Sequence, residues 1–181
     1  MTVLPTFTTG QVLTSSDANS MANSGLVYVK SQTVGTAVSS VTVSGAFSTD
    51  FDNYRIVIGG GTASTAANMT MGLGSSVTGY YGLLQYGTYA GSGYTAATNN
   101  NSTQWDFVGY CNTNYVGAAF DLINPFTTNW TQILNAGWTP STASGTFQGI
   151  HQVATSYTSF TIASVAALTG GTISVYGYRK A

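Results

Sequence analysis

The chain offers few side chains that could carry out acid–base or nucleophilic chemistry. It contains one histidine, His151, one cysteine, Cys111, five aspartates and no glutamate. On a strand through residues 146–153, His151 shares a face with Gly149 and Val153, which favours a core or interface imidazole over a general base. Cys111 has no sequence neighbour that would activate its thiol, which predicts a small buried residue. No serine lies in a Gly-x-Ser-x-Gly elbow, and we therefore expect a protein that is not an enzyme.

Metal and cofactor sites are also difficult to assemble. Asp50 and Asp52 begin like a calcium-binding loop, but Tyr54 occupies the next ligand position and no acidic residue closes the loop. An ion pair between Asp52 and Arg55 at the mouth of a strand is the simpler interpretation. Residues 59–61, all glycine, follow that strand without the helix that would present backbone amides to a phosphate, so we expect a loop. The sequence predicts no metal and no cofactor.

Aromatic side chains are the strongest remaining candidates for a binding function. Their flat faces can stack on sugar rings, and the Asn, Gln and Asp residues around them can bond sugar hydroxyls. Five tyrosines between residues 79 and 94 alternate with glycines, a composition that binding surfaces use. Packing in the core or between subunits is the alternative for each ring. The candidate glycan-contact or partner-contact residues are Tyr80, Tyr81, Tyr86, Tyr89, Tyr94, Trp105, Trp130 and Trp138.

The composition excludes several functional classes. Only 5% of the 181 residues are charged, against about 25% in ordinary soluble domains, and 29 Thr and 20 Ser supply much of the polar surface. A net charge of −1 provides no field for phosphates, which argues against nucleic-acid binding. No apolar stretch approaches the roughly 20 residues of a membrane helix. Because a charge near zero promotes association, we expect much of this surface to be covered by identical copies or by a larger assembly.

The site of action is inferred from the absence of export and disulfide signals. Residues 1–10 lack the basic start and apolar core of a secretory signal, so export by that route is not expected. A single cysteine cannot form an intrachain disulfide. The composition is typical of an extracellular protein, so these features together fit a protein that is assembled inside a cell, released by lysis and then active outside.

The first 25 residues differ from the rest and form a predicted N-terminal attachment arm. Residues 14–17, Thr-Ser-Ser-Asp, match a capping box, and Gly25 is placed to end the helix that follows. A helix of about ten residues is unstable alone in water and must dock. It could pack on its own domain, or it could anchor the chain to a neighbour. The candidate assembly-interface residues are Phe7, Leu13 and Met21.

Residues 26–181 are predicted to form a single β-domain. Short runs rich in Val, Ile, Thr, Tyr and Phe are separated by Gly, Asn, Ser and Pro clusters, and several runs alternate with period two. Residues 170 and 171, both glycine, predict a two-residue hairpin. The pattern predicts an all-β fold, an antiparallel sandwich or barrel. The predicted strands are 26–31, 39–44, 54–58, 69–73, 104–110, 116–123, 132–138, 146–153, 159–163 and 172–178.

Four segments resemble a known group of proteins. Residues 5–19, Pro-Thr-Phe-Thr-Thr-Gly-Gln-Val-Leu-Thr-Ser-Ser-Asp-Ala-Asn, resemble the start of small structural proteins of tailed bacteriophages, including tail-fibre and other appendage proteins. Residues 26–30, 51–58 and 173–178 look like the same group. Together the segments cover about a fifth of the chain, and residues 59–160 show no resemblance to this group.

The resemblance implies a virion protein with a jelly-roll-like sandwich, often trimeric, attached through its N-terminal segment. The leading hypothesis is an appendage protein whose residues 2–25 bind other virion proteins and whose β-body projects outward to host surface glycans. A capsid decoration or cement protein that binds no receptor is the first alternative. A free carbohydrate-binding module is the second.

Overall fold

The computed structural model describes residues 8–12, 14, 15, 25–91 and 93–180. Every strand pairing is antiparallel, and no helix occurs among the elements of these residues, which confirms the all-β prediction. The predicted helix after Thr14 falls almost wholly outside the described residues, as do Phe7, Leu13 and Met21. The strands are β1 (Leu26–Thr33), β2 (Val38–Val43), β3 (Asn53–Ala63), β4 (Ala67–Leu73), β5 (Tyr80–Thr88), β6 (Thr95–Ser102), β7 (Trp105–Cys111), β8 (Val116–Ile123), β9 (Thr131–Trp138), β10 (Ala143–His151) and β11 (Phe160–Tyr178).

Strand β11 is 19 residues long and pairs with four other strands. β1 and then β2 run along one side of it, and β3 and then β4 run along the other. Leu168 pairs with Val38 on one side and Ala63 on the other, whereas Phe160 lies between β2 and β4. The register with β2 shifts between Ala163 and Leu168, where the partner on the other side of β11 changes from β4 to β3.

Two glycine predictions are wrong. Residues 170 and 171 lie within β11 instead of forming a hairpin, and residues 59–61 lie within β3 instead of forming a loop. A Cβ on Gly61 would lie 2.3 Å from the Gly170 carbonyl oxygen, and one on Gly171 would lie 2.7 Å from the Gly59 oxygen. Gly170 and Gly171 also have positive φ values of 69° and 89°. The glycines therefore allow two strands to approach closely without ending either one.

The remaining strands extend from β3 and β4. β8 pairs with β3, and the order then continues through β9, β10, β5 and β6. β7 pairs with both β4 and β8, so β11, β3, β8, β7 and β4 form a closed hydrogen-bonded circuit. This single network does not confirm the jelly-roll strand order. β5 and β6 were not among the predicted strands, because glycines interrupt the pattern of β5 and Asn-rich polar residues fill β6.

Alternation along the strands separates a core from a solvent-facing side. On β8, the side chains of Val116, Ala118, Phe120 and Leu122 are buried and the residues between them are partly exposed. Aromatic rings fill much of the interior, with Trp105, Tyr54, Tyr80, Phe120, Phe147 and Phe160 among the largest fully buried side chains. Within the described part of the chain, no helix is long and apolar enough to cross a membrane.

We call one surface the outer face, namely the solvent-facing side of β11, β3, β8, β9, β10 and β5. Asp121 of β8 lies opposite Leu134 of β9, and Ile150 of β10 lies opposite Tyr81 of β5. Because these strands are neighbours in one antiparallel sheet, their outward side chains form a continuous surface.

Candidate functional site

The outer face carries two adjoining clefts over β5 and β10. The larger has a volume of about 500 Å³ and is lined by Gln85, Tyr86, Tyr94, Ser144, Gly145 and Thr146. The smaller has a volume of about 210 Å³ and is lined by Leu83, Gln85, Thr146 and Gln148. Gln85 and Thr146 line both clefts, so the two volumes share a boundary.

Strand register places the polar groups of the clefts side by side. Gln85 lies directly opposite Thr146, and Leu83 lies opposite Gln148. Cross-strand neighbours in an antiparallel pair have Cβ atoms about 5 Å apart. Two amides and a hydroxyl therefore form a compact group of donors and acceptors around one aliphatic side chain. These groups stand on sheet backbone, which holds them more rigidly than a loop would.

Tyr94 forms a wall beside the larger cleft. Gly87 has no side chain, and a Cβ built on it would lie 3.7 Å from Cδ1 of the Tyr94 ring. The ring therefore lies close to the backbone of β5, yet 92% of the Tyr94 surface is exposed. An exposed aromatic face at the edge of a polar cleft is suited to stacking on a ligand ring.

Charge is absent from this site. Among the described residues that line the two clefts, none is charged and none is His or Cys. A ligand in these clefts would be held by hydrogen bonds and apolar contact. Across the described ranges, no group of three or more His, Cys, Asp or Glu residues is placed to hold a metal ion.

The predicted contact residues divide by location. Tyr86 and Tyr94 line the larger cleft, and Tyr89 lies on the exposed turn before Tyr94. Tyr80 and Trp105 are fully buried, so their rings are not available at the surface and we leave them out of the proposed contact site.

The other three predicted contact residues occupy separate positions. Tyr81 is partly exposed, and its carbonyl accepts a hydrogen bond from the Trp105 indole at 3.2 Å. Trp138 is half-buried against Tyr86, with ring centroids 5.0 Å apart. Trp130 is 49% exposed directly before β9 and lines neither cleft.

His151 lies in the core, as the sequence predicted. Its ring stacks on Tyr80 with centroids 4.1 Å apart, and its Nε2 lies 2.8 Å from the Tyr157 hydroxyl. Burial lowers the pKa of His151, partly offset by the backbone of Gly79. Burial also raises the pKa of Tyr80. Cys111 is buried as well, as predicted, with its Sγ 3.4 Å from the Ala67 carbonyl oxygen.

The predicted ion pair between Asp52 and Arg55 is wrong. Arg55 Nη1 contacts both carboxylate oxygens of Asp121 on β8 at 3.1 Å, whereas Asp52 pairs with Lys180 at 2.8 Å. Arg55 and Asp121 are directly opposite each other across β3 and β8, so strand register brings together residues 66 positions apart. Local sequence patterns could not predict this ion pair, because its two residues lie on different strands.

Sequence analysis missed six cleft residues, namely Leu83, Gln85, Ser144, Gly145, Thr146 and Gln148. The predicted strand through residues 146–153 did indicate that Thr146 and Gln148 face solvent, because an inward His151 places both on the opposite face of the strand. Without β5, however, that face had no neighbour and no cleft could be inferred.

Comparison with protein-family models, curated proteins and solved structures finds no match to this chain.

Proposed function

We propose that this chain is a bacteriophage virion structural protein of the appendage or tail-fibre type, whose outer face binds neutral glycans of the host surface. The observation that carries the binding role is the pair of uncharged clefts over β5 and β10. In the virion, residues 2–25 attach the chain to other virion proteins, and the β-body forms a homotrimer.

The chemistry of the clefts favours a neutral polyhydroxylated ligand. Gln85 and Gln148 each offer an amide acceptor and two amide donors, and Thr146 and Ser144 add hydroxyls that both donate and accept. Sugar hydroxyls need this mixture, and the apolar face of a sugar ring suits Leu83 and Tyr94. A nucleic acid, a phosphate or an acidic glycan would call for Lys or Arg, which the cleft linings lack.

The virion role rests on composition and on the N-terminal resemblance. The stability of a protein whose surface is built from Thr, Ser, Gly and amides depends little on ionic strength, because few charges are available for salt to screen. This property suits a particle that acts outside a cell. The resemblance of residues 5–19 to the start of phage structural proteins supports attachment through this segment. The low net charge of −1 favours association of identical copies.

Adsorption of phage particles tests the proposal. Particles that carry Tyr94→Ala or Gln85→Ala should assemble normally and adsorb to host cells several-fold more slowly than wild-type particles. Tyr28→Ala is the matched control, because Tyr28 is 59% exposed on β1 and lies away from both clefts. Equal adsorption by all three variants would contradict the receptor role.

Particles without the protein separate the appendage role from the cement role. If such particles adsorb normally but lose resistance to heat or osmotic shock, the protein is a cement and the proposal fails. A cryo-EM map that shows the chain projecting from a tail or fibre, with residues 2–25 at the attachment point, supports it.

A further inference from the structure

The two clefts over β5 and β10 are elongated along their strands. Their lining lies between residues 83 and 86 of β5 and between residues 144 and 148 of β10, together with Tyr94, and no described residue of β6 or β9 lines them. Because a strand rises about 3.4 Å per residue and neighbouring strands lie about 4.8 Å apart, the lining extends about 14 Å along β10 but about 5 Å across the strands. A ligand that fills both clefts therefore has its long axis along the strands.

The cross-strand pair of Gln85 and Thr146 separates the two clefts. Leu83 and Gln148 form the next outward pair, in the smaller cleft, and Ser144 lies on the other side, in the larger cleft. Successive outward pairs are two residues, or about 7 Å, apart. All five side chains are exposed, so a ligand can reach their polar and apolar atoms. The clefts thus offer two adjacent subsites with hydrogen-bonding groups between them.

Tyr81 continues this line of side chains beyond the smaller cleft. It lies two residues from Leu83 on the same face of β5 and directly opposite Ile150 of β10. Both side chains are partly exposed. The Trp105 indole donates a hydrogen bond to the Tyr81 carbonyl at 3.2 Å, which fixes the backbone at this position. An aromatic ring beside an aliphatic side chain suits the apolar face of one more sugar ring.

Tyr94 and Tyr81 mark the two ends of this extended surface. The Tyr94 ring lies beside Gly87, and Gly87 and Tyr81 are six residues apart on β5, which corresponds to about 20 Å. A single pyranose ring cannot reach from one tyrosine to the other, whereas a chain of three or more sugars can. We call the outward side chains of residues 81–87 and 144–150, with Tyr94, the β5–β10 strip.

The strip is free of charge along its whole length. β5, β6 and β10 contain no Asp, Glu, Lys or Arg, and their one histidine, His151, is buried in the core. A charged ligand would lose hydration here without gaining a counter-charge. A neutral ligand with many hydroxyls exchanges its hydrogen bonds with water for bonds to the exposed amides and hydroxyls of the strip.

We propose that the β5–β10 strip binds a linear, neutral oligosaccharide of at least three sugars, whose chain axis runs parallel to the two strands. One sugar stacks on Tyr94 in the larger cleft, the next lies over Leu83 in the smaller cleft, and a third packs on Tyr81. The glycosidic bond between the first two crosses the pair of Gln85 and Thr146, which bond the flanking sugar hydroxyls. The inference rests on the proposed function and adds the length and direction of the ligand.

Calorimetry on the full-length protein tests the length of the ligand. The probes are sugars of one to five units from five linear series, derived from cellulose, amylose, β-mannan, xylan and chitin. In at least one series, affinity should rise by about tenfold from one sugar to three, because each added ring brings its own hydrogen bonds and apolar contact. Equal affinity for one sugar and three, or no binding in all five series, overturns the inference. If polysaccharides still shift the amides of Gln85 and Tyr94, the proposed function survives that result.

Shift mapping on the ¹⁵N-labelled protein with the tightest-binding tetrasaccharide tests its direction. A chain that runs along the strands should shift the amides of Tyr81 and Ile150 as well as those of the clefts. Thr98 on β6 and Gly137 on β9 flank the strip and should change much less. Shifts at Thr98 and Gly137 without shifts at Tyr81 would show a ligand that crosses the strands, and they would overturn the inference.

A Tyr81→Ala variant separates this inference from the cleft proposal. It should weaken tetrasaccharide binding about fivefold and change disaccharide binding by less than about twofold. Retained disaccharide binding shows that the variant is folded. Tyr28→Ala, at an exposed tyrosine on β1, is the matched control and should bind like wild type. Wild-type tetrasaccharide affinity in Tyr81→Ala overturns the inference alone, whereas wild-type affinity in Gln85→Ala contradicts the cleft proposal.

Discussion

Gln85 and Thr146 lie directly opposite each other on β5 and β10, and both line the two adjoining clefts of the outer face. Gln85 is exposed next to the buried Leu84, and Thr146 is exposed next to the buried Phe147, so the sheet that packs the core also presents these polar groups to solvent. A ligand that occupies both clefts must contact this pair, which makes it the most informative position for mutation.

Substitution at this pair should weaken binding of a neutral polysaccharide. Gln85→Ala and Thr146→Val each remove hydrogen bonds to the ligand, and each should cost about 1 kcal/mol, or roughly fivefold in affinity. Because both side chains bond the same ligand, their effects should be non-additive in a double-mutant cycle measured by calorimetry. Gln152→Ala, at an exposed position outside the clefts, is the control and should bind like wild type.

Binding at the clefts should be nearly independent of salt. No charged residue lines them among the described residues, so an increase from 50 to 500 mM NaCl should change the dissociation constant by less than about twofold. Titrations across this range provide the measurement. A steep loss of affinity would show that ion pairs dominate and would contradict the assignment of a neutral ligand.

Asn99→Ala should destabilise the protein much more than Asn53→Ala. Asn99 is 4% exposed, donates to the Ser102 hydroxyl at 3.1 Å and accepts from the Asp106 backbone amide at 3.1 Å. Asn99→Ala should therefore lower the free energy of unfolding by about 3 kcal/mol in urea denaturation. Asn53→Ala removes an unpartnered oxygen and should change it by less than about 1 kcal/mol. A large loss at Asn53 would assign that residue a structural role.

Acid should destabilise the protein through His151. Because the folded-state pKa of His151 lies below its ordinary value of 6.5, the unfolded chain takes up the proton first. The His151 contribution is therefore fully present above pH 6.5 and is lost as the pH falls below 6.5 towards the folded-state pKa. The pKa of Tyr80, which stacks on the His151 ring, is raised by burial, so its hydroxyl stays neutral in this range.

Urea denaturation between pH 7.5 and 5 measures the effect. His151→Phe should be less stable than wild type at pH 7.5, because Tyr157 loses its partner, but it should lose less further stability on acidification. An equal pH dependence in both proteins would show that His151 does not control acid sensitivity.

Gly82 and Gly137 form a matched pair of strand glycines. A Cβ on Gly82 would lie 2.3 Å from the Phe147 ring, whereas one on Gly137 would meet no atom within 4 Å. Gly82→Ala should destabilise the protein by about 1–3 kcal/mol through overpacking. Gly137→Ala should be neutral or slightly stabilising. Thermal melts of the two variants test the packing of β5 on the core.

The buried core could be predicted from the sequence more readily than the binding surface. Alternating apolar residues identified β8, and the pattern around His151 correctly placed the imidazole inside. The same reasoning failed at Gly170 and Gly171, because glycine is used both for turns and for close approach of strands, and only the neighbouring strand distinguishes the two.

The candidate site could not be predicted from local patterns, because its residues come from strands that are far apart in the sequence. Gln85 and Thr146 are 61 positions apart, and the Arg55–Asp121 ion pair joins residues 66 positions apart. Antiparallel register brings each pair together, and register is set by the whole sheet. Aromatic content alone could not separate Tyr80, in the core, from Tyr94, at the cleft.

Shift mapping with a panel of neutral polysaccharides, measured on the ¹⁵N-labelled protein, is the most direct test of the outer face as a glycan-binding surface. The account predicts that at least one polysaccharide shifts the amides of Gln85, Tyr94, Ser144 and Thr146 and that Gln85→Ala reduces the response. Absence of binding by every polysaccharide, or shifts confined to residues away from β5 and β10, would contradict it.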